Sequence, residues 1–190
     1  WLIVNDRLET SVKNIWSFGD ANGRHLFKHV ANHEARVVYA NAVLKESMTA
    51  DYHAVPHAVF THPEIAAVGM KEAEAVAAYG QEGVVIGFHP FEDTARGEAM
   101  QVRDCFVKVI LEEATNKILG AHIIGPQASI LIQELITLMY TDDQSPTPLV
   151  KSMHIHPSLS EVVELAFFNL MMRSDYQHLL SHMAPELFPE

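Results

Sequence analysis

The sequence predicts an α+β fold in which helices pack on one face of an antiparallel sheet. Three observations point there. "DCFVKVILEEATNKILGAHIIGP" holds two β-branched, apolar runs joined by a turn at Ala114 to Lys117, a hairpin that makes its strands antiparallel. The order β-α-β-(ββ)-α-α between residues 54 and 180 groups its strands rather than alternating each with a helix. The 190 residues are 48% hydrophobic and 19% charged, ordinary values for a chain that buries a real core.

Taken in order, "NIWSFGD" (Asn14 to Asp20) is an aromatic, β-branched run expected to form a strand that leaves through Gly19-Asp20. "GRHLFKHVANHEARVVYANAVL" places Leu26, Val30, Val37 and Ala40 to Leu44 at helical spacing. The polar stretch "KESMTADYHAVP" ends that helix and sets a domain boundary near Ala50, giving segments 1–50 and 51–190. "HAVFTHPEIAAVGM" supplies one or two extended segments around a Thr-x-Pro-Glu turn, and "KEAEAVAAYG" a helix that stops at Gly80. "VVIGFHPF" is expected to be a strand, "QASILIQELITLMY" an apolar helix, and Leu149 to Met153 a helical turn. A last helix is expected from Ser158 to about Met172, with Ser158 or Ser160 near its N-cap.

The 24 acidic and 13 basic residues leave a net charge of −11, which argues against nucleic acid or an anionic membrane as partner. No apolar run reaches the roughly 20 residues needed to span a bilayer. "WLIVNDRLETS" has no signal-peptide pattern and opens in mid-strand style, so a truncated, cytoplasmic parent protein is expected. Cys105 is the one cysteine, which rules out an intrachain disulfide; in its strand-like setting an inert, half-buried thiol is expected.

His25, His29 and His33 recur at i, i+4 and i+8 and would share a helix face, but Glu34 points about 100° away from His33. No metal site is expected. "HIHPSLSEVVE" (His154 to Glu164) is more specific. Pro157 biases His156 toward extended backbone before a helix begins, and Glu161 falls in that helix's first turn. The carboxylate would fix the tautomer of the imidazole and raise the basicity of its other nitrogen. A capped helix with an incidental histidine fits the spacing equally well.

With its neighbours, "HIHPSLSE" resembles the His-Pro-Thr-x-x-Glu signature of the flavin-dependent pyridine nucleotide–disulfide oxidoreductases, with Ser158 in place of the usual Thr. "TSVKNIWSFGD" is similar to the family's Thr-x-x-x-x-Ile-Trp/Tyr-Ala-x-Gly-Asp segment. "PHAVFTHPEIAAVG" resembles the opening of its interface domain, and "FVKVILEEATNKILGAHIIGPQASILIQE" its central hairpin and helix. The hairpin and "HPSLSE" lean toward dihydrolipoamide dehydrogenase; "FKHVANHEARVV" and "HPSLSEVVELA" lean toward mycothione reductase.

The resemblance implies that 1–50 is the tail of an FAD-binding domain, with Gly19 and Asp20 at the flavin's ribityl chain, and that 51–190 is the dimerisation domain. It implies a homodimer in which His156 is the acid/base and Glu161 its orienting carboxylate, serving the partner subunit's redox dithiol and a small-molecule or lipoyl disulfide. FAD and NAD(P) would be cofactors of the intact parent. The chain alone is expected to bind no FAD stably and to turn nothing over. A non-catalytic dimerisation module is the alternative from another class.

Overall fold

In "FVKVIL" and "VVIGF" nearly every residue is apolar, the pattern of strands covered on both faces rather than one. The computed structural model describes residues 1–183. Its chain divides into two compact units, the first ending at Val55 and the second starting at Pro56.

In the first unit the helix is α1, Lys28–Ala42, which buries Val30, Glu34, Val37, Ala40 and Asn41. The expected strand at Asn14–Asp20 does not form. Trp16 makes one isolated bridge to Glu9, and Gly19–Ala21 is a 3-10 turn. Ile15 and Phe18 stay about half exposed, because no second strand lies alongside to give the run a ladder. Phe27 is extended at the N-cap, so His25 precedes the helix and leaves the face that His29 and His33 occupy. It lies instead against Tyr52, with 5.2 Å between ring centroids.

The second unit runs β1 (His57–Val59), β2 (Glu64–Gly69), α2 (Glu72–Tyr79), β3 (Val84–Pro90), α3 (Ala95–Ala99), β4 (Phe106–Glu112) and β5 (Ile118–Gly125). It continues through α4 (Ala128–Met139), α5 (Thr147–Lys151), α6 (Glu161–Phe168), β6 (Leu170–Met172) and α7 (Arg173–Met183). All six strands form one sheet in the order β1-β2-β5-β4-β3-β6. Every pairing is antiparallel. The hairpin sets Phe106 opposite Ile124 and Ile110 opposite Gly120, with an irregularity at Ile110/Leu111.

Helices cover both faces of this sheet, which corrects the expectation of one. Val107, Val109, Ala121 and Ile123 turn to the face on which α4 crosses β2 and β5 and α6 crosses β3 and β4. Ile86, Phe88 and Ile110 turn the other way, into a cluster with Ala75 of α2 and Tyr176 of α7. Each such fully buried aliphatic side chain contributes roughly 1.5–3 kcal/mol. On that second face Glu72 of α2 takes Lys108 of β4 and Arg173 of α7, both at 2.6 Å.

The last predicted helix is shorter than expected. α6 ends at Phe168, and Leu170–Met172 becomes β6, pairing Val85 with Met172 and Gly87 with Leu170. Backbone pairing along the otherwise open edge of β3 outweighs the helical spacing there. The seat of α6 depends on Gly87, where an added Cβ would lie 2.2 Å from the Ala166 carbonyl oxygen. That close approach sets the height of α6 above the sheet, and with it the position of Glu161.

Candidate functional site

The residues between α5 and α6 form a loop that ends against the first turn of α6. Glu161 and Glu164 both lie in that turn, where carboxylates favour the positive end of the helix dipole. Ser160 occupies the N-cap position, but its side chain caps nothing, and the Ser158 and Ser160 hydroxyls bond each other at 2.8 Å. A serine thus stands at the N-cap as expected, but the Glu161 side chain rather than a hydroxyl organises the turn. Its Oε2 accepts the Ser158 N–H at 2.8 Å, and its Oε1 lies 2.8 Å from Nδ1 of His156. The Ser158 N–H, and then His156, hold the Glu161 carboxyl below the ordinary glutamate range.

A carboxylate has no proton to give, so the imidazole donates through Nδ1–H and Nε2 is left as the proton acceptor. The His156 side chain is 69% exposed. The same loop turns Met153 and Ile155 out to solvent, at 100% and 79% exposure. Two apolar side chains and a base with a fixed tautomer thus stand together at one surface.

Gly19 and Asp20 form the 3-10 turn of the first unit. Gly19 is buried at φ +64°, a backbone that glycine adopts without strain. Asp20 is exposed, and its carboxylate has no partner among the described residues. The turn is held from beneath by Glu34, whose side chain is fully buried. Glu34 accepts from the Gly19 N–H, from Nδ2 of Asn22 at 2.9 Å and from the Tyr52 hydroxyl at 2.6 Å. Burial and the neighbouring carboxylate push the Tyr52 hydroxyl up to about 12.

Sequence reasoning weighed Glu34 only as a metal partner and did not weigh Tyr52. The signal was there: Val30, Glu34 and Val37 are spaced as one apolar stripe, so a carboxylate in the middle of it must find donors. Among the described residues no group of three or more His, Cys, Asp or Glu could hold a metal ion. Cys105 is buried rather than half-buried, and burial, then the charges of Glu92 and Asp104, pushes its thiol up. No helix among the described residues is long and apolar enough to cross a membrane.

Residues 55–167 match the family described as "Pyridine nucleotide-disulphide oxidoreductase, dimerisation domain". The chain is 41% identical over 174 residues to mycothione reductase of Mycobacterium tuberculosis, covering 89% of this chain and 38% of the relative. It is 37% identical over 161 residues to dihydrolipoyl dehydrogenase of Chlamydia pneumoniae, covering 84% and 34%. Among solved structures, LpdA of M. tuberculosis is similar with a TM-score of 0.77 and 26% identity, over 87% of this chain and 36% of that one. The Cu(II) complex of the HOCl-induced flavoprotein disulfide reductase RclA of Escherichia coli gives a TM-score of 0.78 at 25% identity, over 87% and 37%. The chain thus spans less than two-fifths of the length of these curated relatives. A six-stranded antiparallel sheet with its helices, matched across residues 55–167, makes this chain a member of the pyridine nucleotide-disulphide oxidoreductases that carries their dimerisation domain.

Proposed function

We propose that this chain supplies the acid/base of a homodimeric, FAD-dependent pyridine nucleotide–disulfide oxidoreductase, delivering His156 to the redox dithiol of the partner subunit. The observation that carries the reading is the His156–Glu161 pair, with Nδ1 tied to a carboxylate and Nε2 left open on an exposed loop. Such a base needs a proton to take, and the exposed Met153 and Ile155 beside it suit a surface that a second copy covers.

The chemistry follows from thiol–disulfide exchange. A thiolate, not a thiol, attacks a disulfide sulfur, so each exchange needs a proton removed and a proton returned. Nε2 of His156 takes the proton of the attacking thiol. The imidazolium so formed, held against Glu161, gives the proton to the departing thiolate. Glu161 stays ionised throughout and keeps the ring in one orientation.

In this reading residues 1–50 are the end of an FAD-binding domain and 51–190 the dimerisation domain. The exposed, unpartnered carboxylate of Asp20, on a turn fixed by Glu34, fits a group that accepts hydrogen bonds from the flavin's ribityl hydroxyls. FAD, when bound, carries electrons between NAD(P)H and the dithiol. The chain alone keeps only one corner of that site and is expected neither to retain FAD nor to turn over substrate. The reaction belongs to the cytoplasm and uses a disulfide as substrate, with no nucleic acid or membrane partner.

A lipoyl disulfide suits the dihydrolipoyl dehydrogenase relatives; the 41% identity to mycothione reductase favours mycothione as the second reading. The test is a purified full-length protein assayed with NADH and NADPH against lipoamide and mycothione. About one flavin per subunit and turnover of one disulfide are expected. A flavin-free protein inert toward both would overturn the reading in favour of a non-catalytic module.

A further inference from the structure

Two residues before His156 lies a second histidine that the proposed chemistry does not use. The His154 side chain is only 10% exposed, and its Nδ1 stands 3.2 Å from Oε1 of Glu164. The contact is within ion-pair reach but is not aligned as a hydrogen bond, and that nitrogen has no hydrogen-bond partner among the described residues. From another element, Glu134 of α4 brings a carboxyl whose Oε2 is likewise buried without one. Burial pushes the Glu134 carboxyl up, and the charge of His154 is what draws it back down. Two buried polar atoms without a partner call for an explanation, because buried polar groups are ordinarily satisfied.

The geometry supplies one. Glu161 and Glu164 are one turn apart and share a face of α6. His154 and His156, separated by one residue, each meet one of them. Ile155 between them points to solvent. The loop is therefore fastened twice to the same helix, once at the surface and once beneath it. Glu164 of α6 faces the inner histidine, whose charge also acts on the carboxyls of Glu161 on α6 and Glu134 on α4. Lys151, the cation in the last turn of α5, is exposed.

We propose that His154 is a positioning residue: buried against Glu164, its imidazole anchors the loop so that His156 keeps a single orientation against Glu161. This rests on the reading of His156 as the acid/base. An anchor of this kind acts on the reaction only through the base it holds. A misplacement of about 1 Å at a reacting group is enough to cost on the order of a hundredfold in rate.

The experiment uses the full-length protein in four forms: unmodified, His154→Leu, His154→Asn and Glu164→Gln. Asparagine keeps an N–H close to the position of Nδ1; leucine fills the space without a donor; Glu164→Gln removes the facing charge at constant volume and serves if the leucine variant does not fold. Each is read by the rate of flavin reoxidation by disulfide and by ¹⁵N imidazole spectra of His156, which report tautomer without reference to turnover. The leucine and Glu164→Gln forms are expected to lose the single His156 tautomer and to slow reoxidation by roughly ten- to a hundredfold. Asparagine is expected to restore both. An unmoved His156 spectrum in the leucine and Glu164→Gln forms, or an asparagine form as impaired as leucine, would overturn the proposal. His156→Ala measured alongside separates the two ideas: if it leaves reoxidation unchanged, the reading of His156 fails, whereas the His156 spectra of the His154 and Glu164 variants still judge the anchor.

Discussion

Replacing His156 with alanine in the full-length protein is expected to slow disulfide turnover by roughly 10²- to 10⁴-fold, the usual contribution of a positioned acid/base. The loss should fall on one half of the cycle. Reduction of the flavin by NAD(P)H needs no proton from this loop, so its stopped-flow rate should stay as it was. In the proposed mechanism, exchange with the substrate disulfide has its proton taken and returned at Nε2, so that phase should slow. Flavin content and thermal midpoint should also be unchanged, since a side chain that is 69% exposed contributes little to packing. A variant that turns over disulfide at the unmodified rate would remove His156 from the mechanism.

The second large effect lies in the first unit. Glu34→Leu keeps the bulk of the side chain but leaves the Gly19 N–H, the Asn22 amide and the Tyr52 hydroxyl without their acceptor. Each buried donor stranded in this way costs roughly 1–3 kcal/mol, so the unit should lose on the order of 3 kcal/mol or more. Glu34→Gln, which keeps one oxygen but aims an amide N–H₂ at donors, should fall between the two. The Tyr52 hydroxyl should titrate below its present value of about 12, because one of the groups raising it is gone while its burial remains. Denaturant unfolding and ultraviolet titration of the tyrosines measure both effects. Unchanged stability in Glu34→Leu would show that Glu34 does not hold the Gly19–Asp20 turn.

The second unit was the more legible in sequence, because its elements carry their periods locally. "KEAEAVAAY" is a helix that stops at Gly80, and the 104–126 stretch is a hairpin with its turn where the residues place it. The failures share a cause. Asn14–Asp20 has the composition of a strand but no neighbour to pair with, and Leu170–Met172 has the composition of a helix but an open strand edge beside it. In both, partners distant in sequence decided the outcome. Helices on the second face were missed for a related reason. The residues of "FVKVIL" that face α2 and α7 are apolar apart from Lys108, whose charge is met by a glutamate far away in the chain.

The candidate site divides along the same line. His156 and Glu161 are five residues apart across a proline, so their pairing was open to sequence reasoning. Glu34 and Tyr52 are 18 residues apart, and nothing local links them. His154 and Glu164 both stood in the quoted motif, yet the burial of His154 against that carboxylate follows only from the packing of the loop on α6.

The central claim is that the base and the dithiol of one active site belong to different subunits. Heterodimers test it most directly, formed by mixing full-length subunits that carry His156→Ala with subunits that lack the redox dithiol. Each parent homodimer should be nearly inactive. In the mixed dimer, one site combines an intact dithiol with an intact His156, so about half of the unmodified activity per dimer should return. If His156 instead serves its own subunit, neither site is whole, and the mixed dimer would be as inactive as its parents.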